Sequence, residues 1–362
     1  MTLSPSTLRK DEQGMQTVLS SFALSSAPVS SAPYGSGHIN GTQLVVCEDG
    51  ARYILQQINT NVFHEPEQLM KNIELVTAHL RMKVSDPRGV LRLVSARDGR
   101  SFVVEDGAYW RVYELVANSV CYQCADEALF YECAVAFGRF QNQLADFDAG
   151  LLSETIPRFH DTPARYLAFH RAVEENASNE RARVSREIDF VLEREAFAHT
   201  LTNLQASGEL PLRVTHNDTK INNVLFDSAT NKALCVIDLD TVMPGLSVND
   251  FGDAIRFGAS TAAEDERDLS RVHFDLGLYE TYVKGYLSTC GESLKKAEKA
   301  MLPTGAKMMT LECGMRFLAD HLAGDVYFHV ARKGHNLDRA RTQFRLVEEM
   351  EKSWCKMHKI VE

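Results

Sequence analysis

The sequence predicts an α+β fold of two lobes, a small antiparallel β-rich lobe followed by a larger and mainly helical one. Strand-length segments separated by glycine turns fill the chain between residues 42 and 116, whereas the remainder is mostly helical in period. The length of 362 residues corresponds to about two domains. We therefore expect a flexible or helical extension over residues 1–31, a β-rich lobe over 32–116 and a helical lobe over 117–362.

Composition and charge narrow the class of ligand. The chain carries 39 basic and 49 acidic residues, a net charge of −10, which argues against a nucleic-acid or anionic-membrane partner. No stretch reaches the 18 or so apolar residues of a membrane helix, and eight irregularly spaced cysteines are typical of a reducing compartment. We expect a cytoplasmic protein that binds a small molecule.

The predicted β-rich lobe begins with a glycine loop. Gly35 and Gly37 precede strands expected at residues 42–47 and 52–58, and backbone N–H groups of such a loop can lie over phosphates. A helix is expected over 65–80, where apolar residues recur every three or four positions. Further strands are expected at 91–95, 101–105 and 109–116, and the Ser/Ala/Pro-rich tract at 25–33 is typical of a linker.

The most informative segment is H-N-D-T-K-I-N-N, which begins at His216 and has the form H-x-D-x-x-x-x-N. Asp238 follows it at the end of a predicted strand. Phosphoryl transfer needs an oriented acceptor hydroxyl, a group that accepts its proton, and a cation that neutralises the phosphates. Asp218 fits the role of base, and Asn223 and Asp238 offer the hard oxygen ligands that Mg²⁺ prefers. His216 is interpreted as a structural residue of the loop.

These motifs resemble those of the kinase-like phosphotransferases, the superfamily of aminoglycoside phosphotransferases, choline kinases and protein kinases. Longer segments resemble the N-acetylhexosamine 1-kinases within it: YGSGHIN, RVTHNDTKINN, VIDLDTVMPG, DFGDAIRFGAST and ECGMRFLAD. The resemblance implies a protein-kinase-like fold that uses ATP and Mg²⁺ to phosphorylate the anomeric C1 hydroxyl of GlcNAc or GalNAc. It also implies five substrate-binding residues, namely His38, Asn40, Asp240, Arg316 and Tyr327.

The same resemblance implies a nucleotide site in the first lobe. Adenine is expected at the lobe junction, read by the backbone of Glu114 and Val116, and the glycine loop is expected at the phosphates. Kinase-like folds usually carry a phosphate-binding Lys on the strand after the hairpin, whereas this strand has Gln56. The amide of Gln56 can donate hydrogen bonds but carries no positive charge, so it cannot form the usual ion pair with a helical Glu, for which Glu74 is the candidate.

The tripeptide Asp250-Phe251-Gly252 spells the metal-binding D-F-G of protein kinases, but its spacing is wrong. Asp250 lies 27 residues after Asn223, whereas Asp238 lies 15 after it and closes a predicted strand pair. We therefore expect Asp238 to bind the metal. Asp250, Asp253 and Arg256 are interpreted as a polar cluster that braces the catalytic loop.

Four alternatives stay open at this point. The acceptor could be another small hydroxyl compound, such as an amino sugar, a choline-like alcohol or an aminoglycoside. Gln56 is compatible with a nucleotide-binding pseudokinase. Arg316 could form a simple surface pair with Asp320 one turn further along a helix. The Cys121-x-x-Cys124 pair is a weak zinc signal without a second pair or a nearby His.

Overall fold

The computed structural model describes residues 14–35, 39–124 and 126–362. Contacts divide the chain into two compact units, residues 1–119 and 120–362. The first is built on an antiparallel sheet and the second is mainly helical, so the predicted α+β class is confirmed. Within the described ranges, no helix has the length and apolar character needed to cross a membrane.

The first unit contains a five-stranded antiparallel sheet of order β1-β2-β3-β5-β4. Its strands are β1 (Pro28–Pro33), β2 (Gly41–Cys47), β3 (Arg52–Gln57), β4 (Val103–Glu105) and β5 (Ala108–Glu114). Alternate residues of the three central strands, Val45, Leu55 and Val112, are completely buried on one face. The period-2 pattern of these segments therefore places one face of the sheet against a core.

Two helices complete the first unit. The helix α2 (Pro66–Arg81) begins with Pro at a position where its missing N–H is not needed, and its apolar residues at the predicted spacing are buried. The helix α1 (residues 14–20) buries Val18 and Leu19 in the same core cluster as Val45 and Leu55.

One strand of the sheet was not predicted. Residues 28–33 were expected to be linker and extension, but they pair with β2 as an edge strand. Proline is tolerated at an edge because its missing N–H would have faced away from the sheet. Residues 91–95 form only an isolated bridge, Leu93 to Tyr113. β4 pairs with residues 108–110 of β5, so only a few residues on the same edge of β5 are left to pair with residues 91–95.

The second unit surrounds its small sheets with helices. Its strands are β6 (Ser119–Cys121), β7 (Arg213–Thr215), β8 (Val224–Asp227), β9 (Ala233–Val236) and β10 (Met243–Gly245), paired as β6-β8-β9 and β10-β7. Its helices are α3 (Glu127–Gln143), α4 (Thr162–Glu175), α5 (Ser185–Leu192), α6 (His199–Ala206), α7 (Ser247–Gly258), α8 (Leu276–Cys290), α9 (Lys296–Ala300), α10 (Leu302–Ala323), α11 (His335–Lys352) and α12 (Trp354–Val361).

Helices α7 and α10 approach each other at a pair of glycines. A Cβ on Gly252 would overlap the carbonyl oxygen of Gly305, and a Cβ on Gly305 would overlap the carbonyl oxygen of Val248. On α7, Phe251 is completely buried and its ring lies 5.5 to 6.0 Å from those of three tyrosines of α8. Glycine at position 252 therefore sets the distance between two central helices.

We predict that Gly252→Ala destabilises the protein by about 1–3 kcal/mol, because the added methyl group forces the two backbones apart. Equilibrium urea unfolding measures this change. Gly41→Ala is a control, since a Cβ there meets only the Cβ of Gln57 at 3.9 Å. A free energy of unfolding for Gly252→Ala equal to that of the wild type would contradict the close approach.

Candidate functional site

The H-x-D-x-x-x-x-N segment forms the loop between β7 and β8 in the second unit. His216 is completely buried beside the rings of Phe137 and Phe140. Its Nε2 donates to the carbonyl oxygen of Ile237 at 2.9 Å, and its Nδ1 accepts from the backbone N–H of Asp218 at 3.3 Å. These contacts match the structural role expected for His216.

The carboxylate of Asp218 is held from two sides. Asn223 donates from Nδ2 to the backbone oxygen of Asp218 at 2.8 Å and to its Oδ2 at 2.9 Å. Lys220 Nζ lies 2.6 Å from Oδ1. The Asp218 side chain nevertheless keeps 28% of its surface exposed, so a ligand can reach the oriented carboxylate.

Asp238 is brought to the same loop through the backbone. The N–H of Ile237 donates to the carbonyl oxygen of Asn223 at 2.9 Å, which places the next residue, Asp238, close to the end of the candidate catalytic loop. Asp238 has φ 60°, and Asn217 on the other side of the loop has φ 63°. Left-handed conformations of this kind are uncommon outside glycine and cluster at functional sites.

The cluster around Asp250 supports the loop from below. Asp250 on α7 accepts from the N–H of His216 at 2.8 Å, from the N–H of Asn217 at 2.7 Å, and from Gln141 Nε2 at 3.1 Å. Its own backbone oxygen accepts from the hydroxyl of Thr219. Asp250 therefore fixes the backbone just before Asp218 and anchors the side chain of Thr219 just after it, which agrees with its interpretation as part of a polar cluster that braces the loop.

Asp253, one turn further along α7, continues this support. It accepts from the N–H of Thr219 at 3.0 Å and pairs with Arg256, whose guanidinium also contacts Glu264. Although burial alone would raise the pKa of Asp253, Arg256 and Lys220 hold it below its usual value. The negative charge next to the loop is thus balanced by two cations.

Lys220 is a charged residue of the candidate site that the sequence reasoning missed. Burial disfavours its charged form, but the carboxylates of Asp218 and Asp253 raise its pKa above the usual value. The ammonium group is therefore charged at neutral pH and stands beside the candidate base. The sequence did contain a signal for it, because Lys220 is a basic residue within the H-x-D-x-x-x-x-N segment, two positions after Asp218.

Asp240 lies on a short 3₁₀ turn, Leu239–Thr241, and is 2% exposed. Its backbone oxygen accepts from Thr155 Oγ1 at 3.0 Å, and the neighbouring Thr241 hydroxyl donates to the carbonyl oxygen of His216 at 2.6 Å. The turn that carries Asp240 is therefore attached directly to the loop that carries Asp218.

Arg316 and Tyr327 line one cavity of about 340 Å³. The Cζ atom of Arg316 lies 5.3 to 5.9 Å from the ring centres of Phe159, Tyr327 and Phe328. Within the described part of the chain, the guanidinium of Arg316 has aromatic neighbours but no hydrogen-bond or ion-pair partner. Its donors are therefore available for a ligand.

The surface pair between Arg316 and Asp320 does not form. Asp320 instead accepts from the backbone N–H groups of Val326, Tyr327 and Phe328 at 2.8 to 2.9 Å. It thereby holds the segment that brings two rings to Arg316. The alternative interpretation of Arg316 as half of a simple helix-surface pair is wrong, because Asp320 caps a loop.

The cavity around Arg316 has a mixed lining with one more basic than acidic residue. Arg165 and Arg171 line it together with Arg316, and Glu175 and Asp320 line it as well. Burial and the neighbouring charge of Arg316 lower the pKa of Arg165 from its usual value. Arg165 donates from Nε and Nη2 to the carbonyl oxygen of Phe159, a neutral group. Two close guanidinium groups favour a ligand that brings oxygen acceptors.

The first-unit candidates are described separately. Gly37 and His38 lie outside the described residues. Gly35 has φ 79°, and Asn40 Oδ1 accepts from the N–H of Asn59 at 3.0 Å. Val116 accepts from the Ser119 hydroxyl at 2.8 Å.

Gln56 stands where a phosphate-binding Lys was expected, but it carries no charge and its side chain is bonded to two neighbouring strands. Gln56 lies on β3 and contacts Thr42 and Arg111. Glu114, at the end of β5, and Glu74, on α2, are exposed.

The Cys121-x-x-Cys124 pair lies at the start of the second unit. Both thiols are exposed and free, and Cys121 Sγ donates to the carbonyl oxygen of Asn222 at 3.2 Å. Across the described ranges, no group of three or more His, Cys, Asp or Glu side chains is arranged to hold a metal ion.

Comparison with known proteins adds a family and several similar structures. The sequence pattern of the phosphotransferase enzyme family, APH, matches residues 31–286. An aminoglycoside phosphotransferase from Alicyclobacillus acidocaldarius superposes with a TM-score of 0.64 at 12% identity, over 100% of this chain and 97% of the other.

Two further structures have the same fold. An amicoumacin kinase in complex with AMP-PNP, Ca²⁺ and Ami superposes with a TM-score of 0.61 at 15% identity, over 97% of this chain and 96% of the other. An ethanolamine kinase from Plasmodium vivax has a TM-score of 0.55 at 14% identity, over 87% of this chain and 82% of the other.

We predict that Asp250→Ala destabilises the protein by roughly 3 kcal/mol or more, because three buried donors lose their acceptor. Urea unfolding followed by circular dichroism measures the change. Asp189→Ala, an exposed position on α5, is the control. A loss below about 1 kcal/mol for Asp250→Ala would show that the loop does not depend on this carboxylate.

Proposed function

Because the chain belongs to the phosphotransferase enzyme family, we propose that it transfers the γ-phosphoryl group of ATP to the anomeric C1 hydroxyl of GlcNAc or GalNAc. The products are the N-acetylhexosamine 1-phosphate and ADP. The observation that carries the proposal is the Asp218 carboxylate, partly exposed and held by Asn223 and Lys220. The resemblance of five long segments to N-acetylhexosamine 1-kinases supports the choice of acceptor.

In the proposed reaction, Asp218 orients the sugar hydroxyl and accepts its proton. The sugar oxygen forms a bond to the γ-phosphorus while the bond to the β,γ-bridging oxygen breaks, and ADP leaves with that electron pair. Lys220, 2.6 Å from Asp218 Oδ1, adds a positive charge beside the transferred group. The brace from Asp250 keeps the loop in one conformation during this step.

The donors around the loop fit a hard divalent cation. Asn223 uses its amide nitrogen toward Asp218, which directs its carbonyl oxygen to the opposite side. That oxygen and the Asp238 carboxylate would hold Mg²⁺, which commonly takes only one or two protein ligands plus phosphate oxygens. When bound, the ion neutralises the charge of the phosphates.

The charge of the Arg316 cavity favours a neutral acceptor over a cationic one. Its three arginines outnumber its two carboxylates, Glu175 and Asp320, and Asp320 already accepts from three backbone N–H groups, so the lining disfavours the ammonium groups of aminoglycosides, choline or ethanolamine. Sugar hydroxyls and an N-acetyl carbonyl instead provide acceptors for guanidinium donors. We assign Arg316 and Tyr327 to this acceptor, together with His38, Asn40 and Asp240, and the nucleotide to Gly35, Gly37, Gln56, Glu114 and Val116.

The test is incubation with ATP, Mg²⁺ and paired acceptors that differ in charge. GlcNAc and GalNAc are compared with glucosamine, galactosamine, choline and an aminoglycoside by ADP release, and ³¹P NMR locates the phosphate. We expect turnover of the N-acetyl sugars with phosphate on C1 and at least about tenfold lower kcat/KM for the amines, a difference of about 1.4 kcal/mol. Asp218→Asn is the matched control, with ATP bound and turnover lost.

Two outcomes would contradict the proposal. Absence of turnover with every N-acetylhexosamine would remove the sugar kinase activity. Preferential phosphorylation of a cationic acceptor would instead support the alternative of an aminoglycoside or choline-like kinase. It would also show that the charge of the Arg316 cavity does not select a neutral acceptor.

We predict that Arg316→Ala raises the KM for the sugar by about 10- to 100-fold, because a charge-assisted hydrogen bond to the acceptor is lost. The KM for ATP should stay within about twofold. Initial-rate kinetics with each substrate varied in turn measure both. Arg267→Ala, whose side chain is 78% exposed, is the control. An unchanged sugar KM would remove Arg316 from the acceptor site.

A further inference from the structure

Arg316 has a carboxylate one helical turn away on each side. Glu312 precedes it and Asp320 follows it by four positions on α10, the spacing at which ion pairs form along a helix. The order of acid before base, as in Glu312 and Arg316, is the more favourable one. Neither carboxylate pairs with Arg316, because each accepts hydrogen bonds from other donors.

Glu312 is bonded to the segment that leads into α4. Its Oε1 accepts from His160 Nδ1 at 2.9 Å, and its Oε2 accepts from Thr162 Oγ1 at 2.6 Å. The Glu312 side chain is 2% exposed, so these two donors and not water satisfy its oxygens. Although burial alone would raise the pKa of Glu312, the hydrogen bond and charge of His160 and the charge of Arg316 hold it below its usual value. Glu312 is therefore ionised and carries a charge that could attract Arg316.

The segment that carries His160 is fixed by contacts of its own. Asp161 caps α4 by accepting from the N–H of Ala164 at 3.0 Å, and its other oxygen pairs with Arg158 at 2.7 Å. The ring of Phe159 lies 5.3 Å from the Cζ atom of Arg316. The position of His160 thus does not depend on Glu312 alone, and its imidazole can hold the carboxylate in place.

We propose that His160 is a positioning residue for acceptor binding, which holds Glu312 away from Arg316 and so keeps the guanidinium available for the sugar. This inference rests on the proposed function, in which Arg316 contacts the acceptor. Without the Nδ1 donor, one oxygen of a buried carboxylate loses its partner. The guanidinium of Arg316 can replace that donor, and the sugar then has to compete with Glu312 for it.

His160→Leu tests the role by removing the donor while keeping an apolar side chain in its place. We expect the KM for GlcNAc to rise about tenfold and kcat to stay within about threefold, because Asp218 and its loop are unchanged. Initial-rate kinetics with GlcNAc varied at saturating Mg·ATP measure both values. Urea unfolding shows that the variant is folded under the assay conditions.

Two further variants separate this role from a purely structural one. Glu312→Gln in the His160→Leu background removes the competing charge, and we expect it to return the GlcNAc KM to within about threefold of the wild type. His160→Asn keeps an N–H donor near the position of Nδ1 and should also stay within about threefold. Structural damage would instead increase when the second substitution is added.

His170→Leu is the matched control for loss of a His–Glu pair. His170 Nε2 lies 3.0 Å from Glu195 Oε1, and its side chain is 40% exposed on α4. We expect both kinetic constants to equal those of the wild type. The crystal structure of His160→Leu without sugar adds a measurement that needs no turnover, and it should place a Glu312 oxygen within about 4 Å of the Arg316 guanidinium.

The outcomes separate this inference from the proposed function. Wild-type protein that phosphorylates no N-acetylhexosamine would overturn the proposed function. A crystal structure of His160→Leu in which Glu312 keeps its distance from Arg316 would overturn the role of His160, whatever the acceptor is. An unchanged GlcNAc KM, or no rescue by Glu312→Gln, would also overturn it. A loss in kcat alone would do the same, because it would place the effect of His160 on the catalytic loop.

Discussion

The buried carboxylate of Asp250 is the interaction on which the second unit's site depends. A loop that exposes a reactive Asp must turn sharply, and its backbone N–H groups then lie inside the protein without helix or sheet partners. Asp250 accepts from two of these groups, His216 N and Asn217 N, on adjacent residues just before Asp218. The cost of burying this carboxylate is offset by the hydrogen bonds that it accepts, and those bonds hold the loop in one conformation.

The position of Asp250 depends in turn on helix packing. Its helix, α7, lies against α10 through Gly252 and Gly305, where a larger residue on either side would meet backbone atoms. The same α10 carries Arg316 and Asp320 towards its C-terminal end. One closely packed helix pair thus supports both the candidate catalytic loop and the cavity that is proposed to hold the substrate.

Sequence patterns predicted much of the fold because the relevant signals are local. Helix α2 was expected at 65–80 and runs Pro66–Arg81, since apolar spacing and an initial proline act within one segment. The edge strand Pro28–Pro33 was missed because its composition favours a linker and its order comes from pairing with β2. Residues 91–95 were expected to form a strand because they are apolar, but β4 pairs with the same edge of β5 and leaves them only a single bridge.

The sequence by itself determined the family and the order of the two units, a β-rich one before a helical one, and it identified the candidate residues for phosphoryl transfer, because a motif such as H-x-D-x-x-x-x-N keeps its spacing along the chain. Only the tertiary structure decided which charges meet. Lys220 contacts Asp218, Asp320 turns away from Arg316, and Arg111 lies across from Gln56, 55 positions earlier in the chain. Electrostatic partners are chosen by distance in space, and residues far apart in sequence become neighbours only through strand register and helix packing.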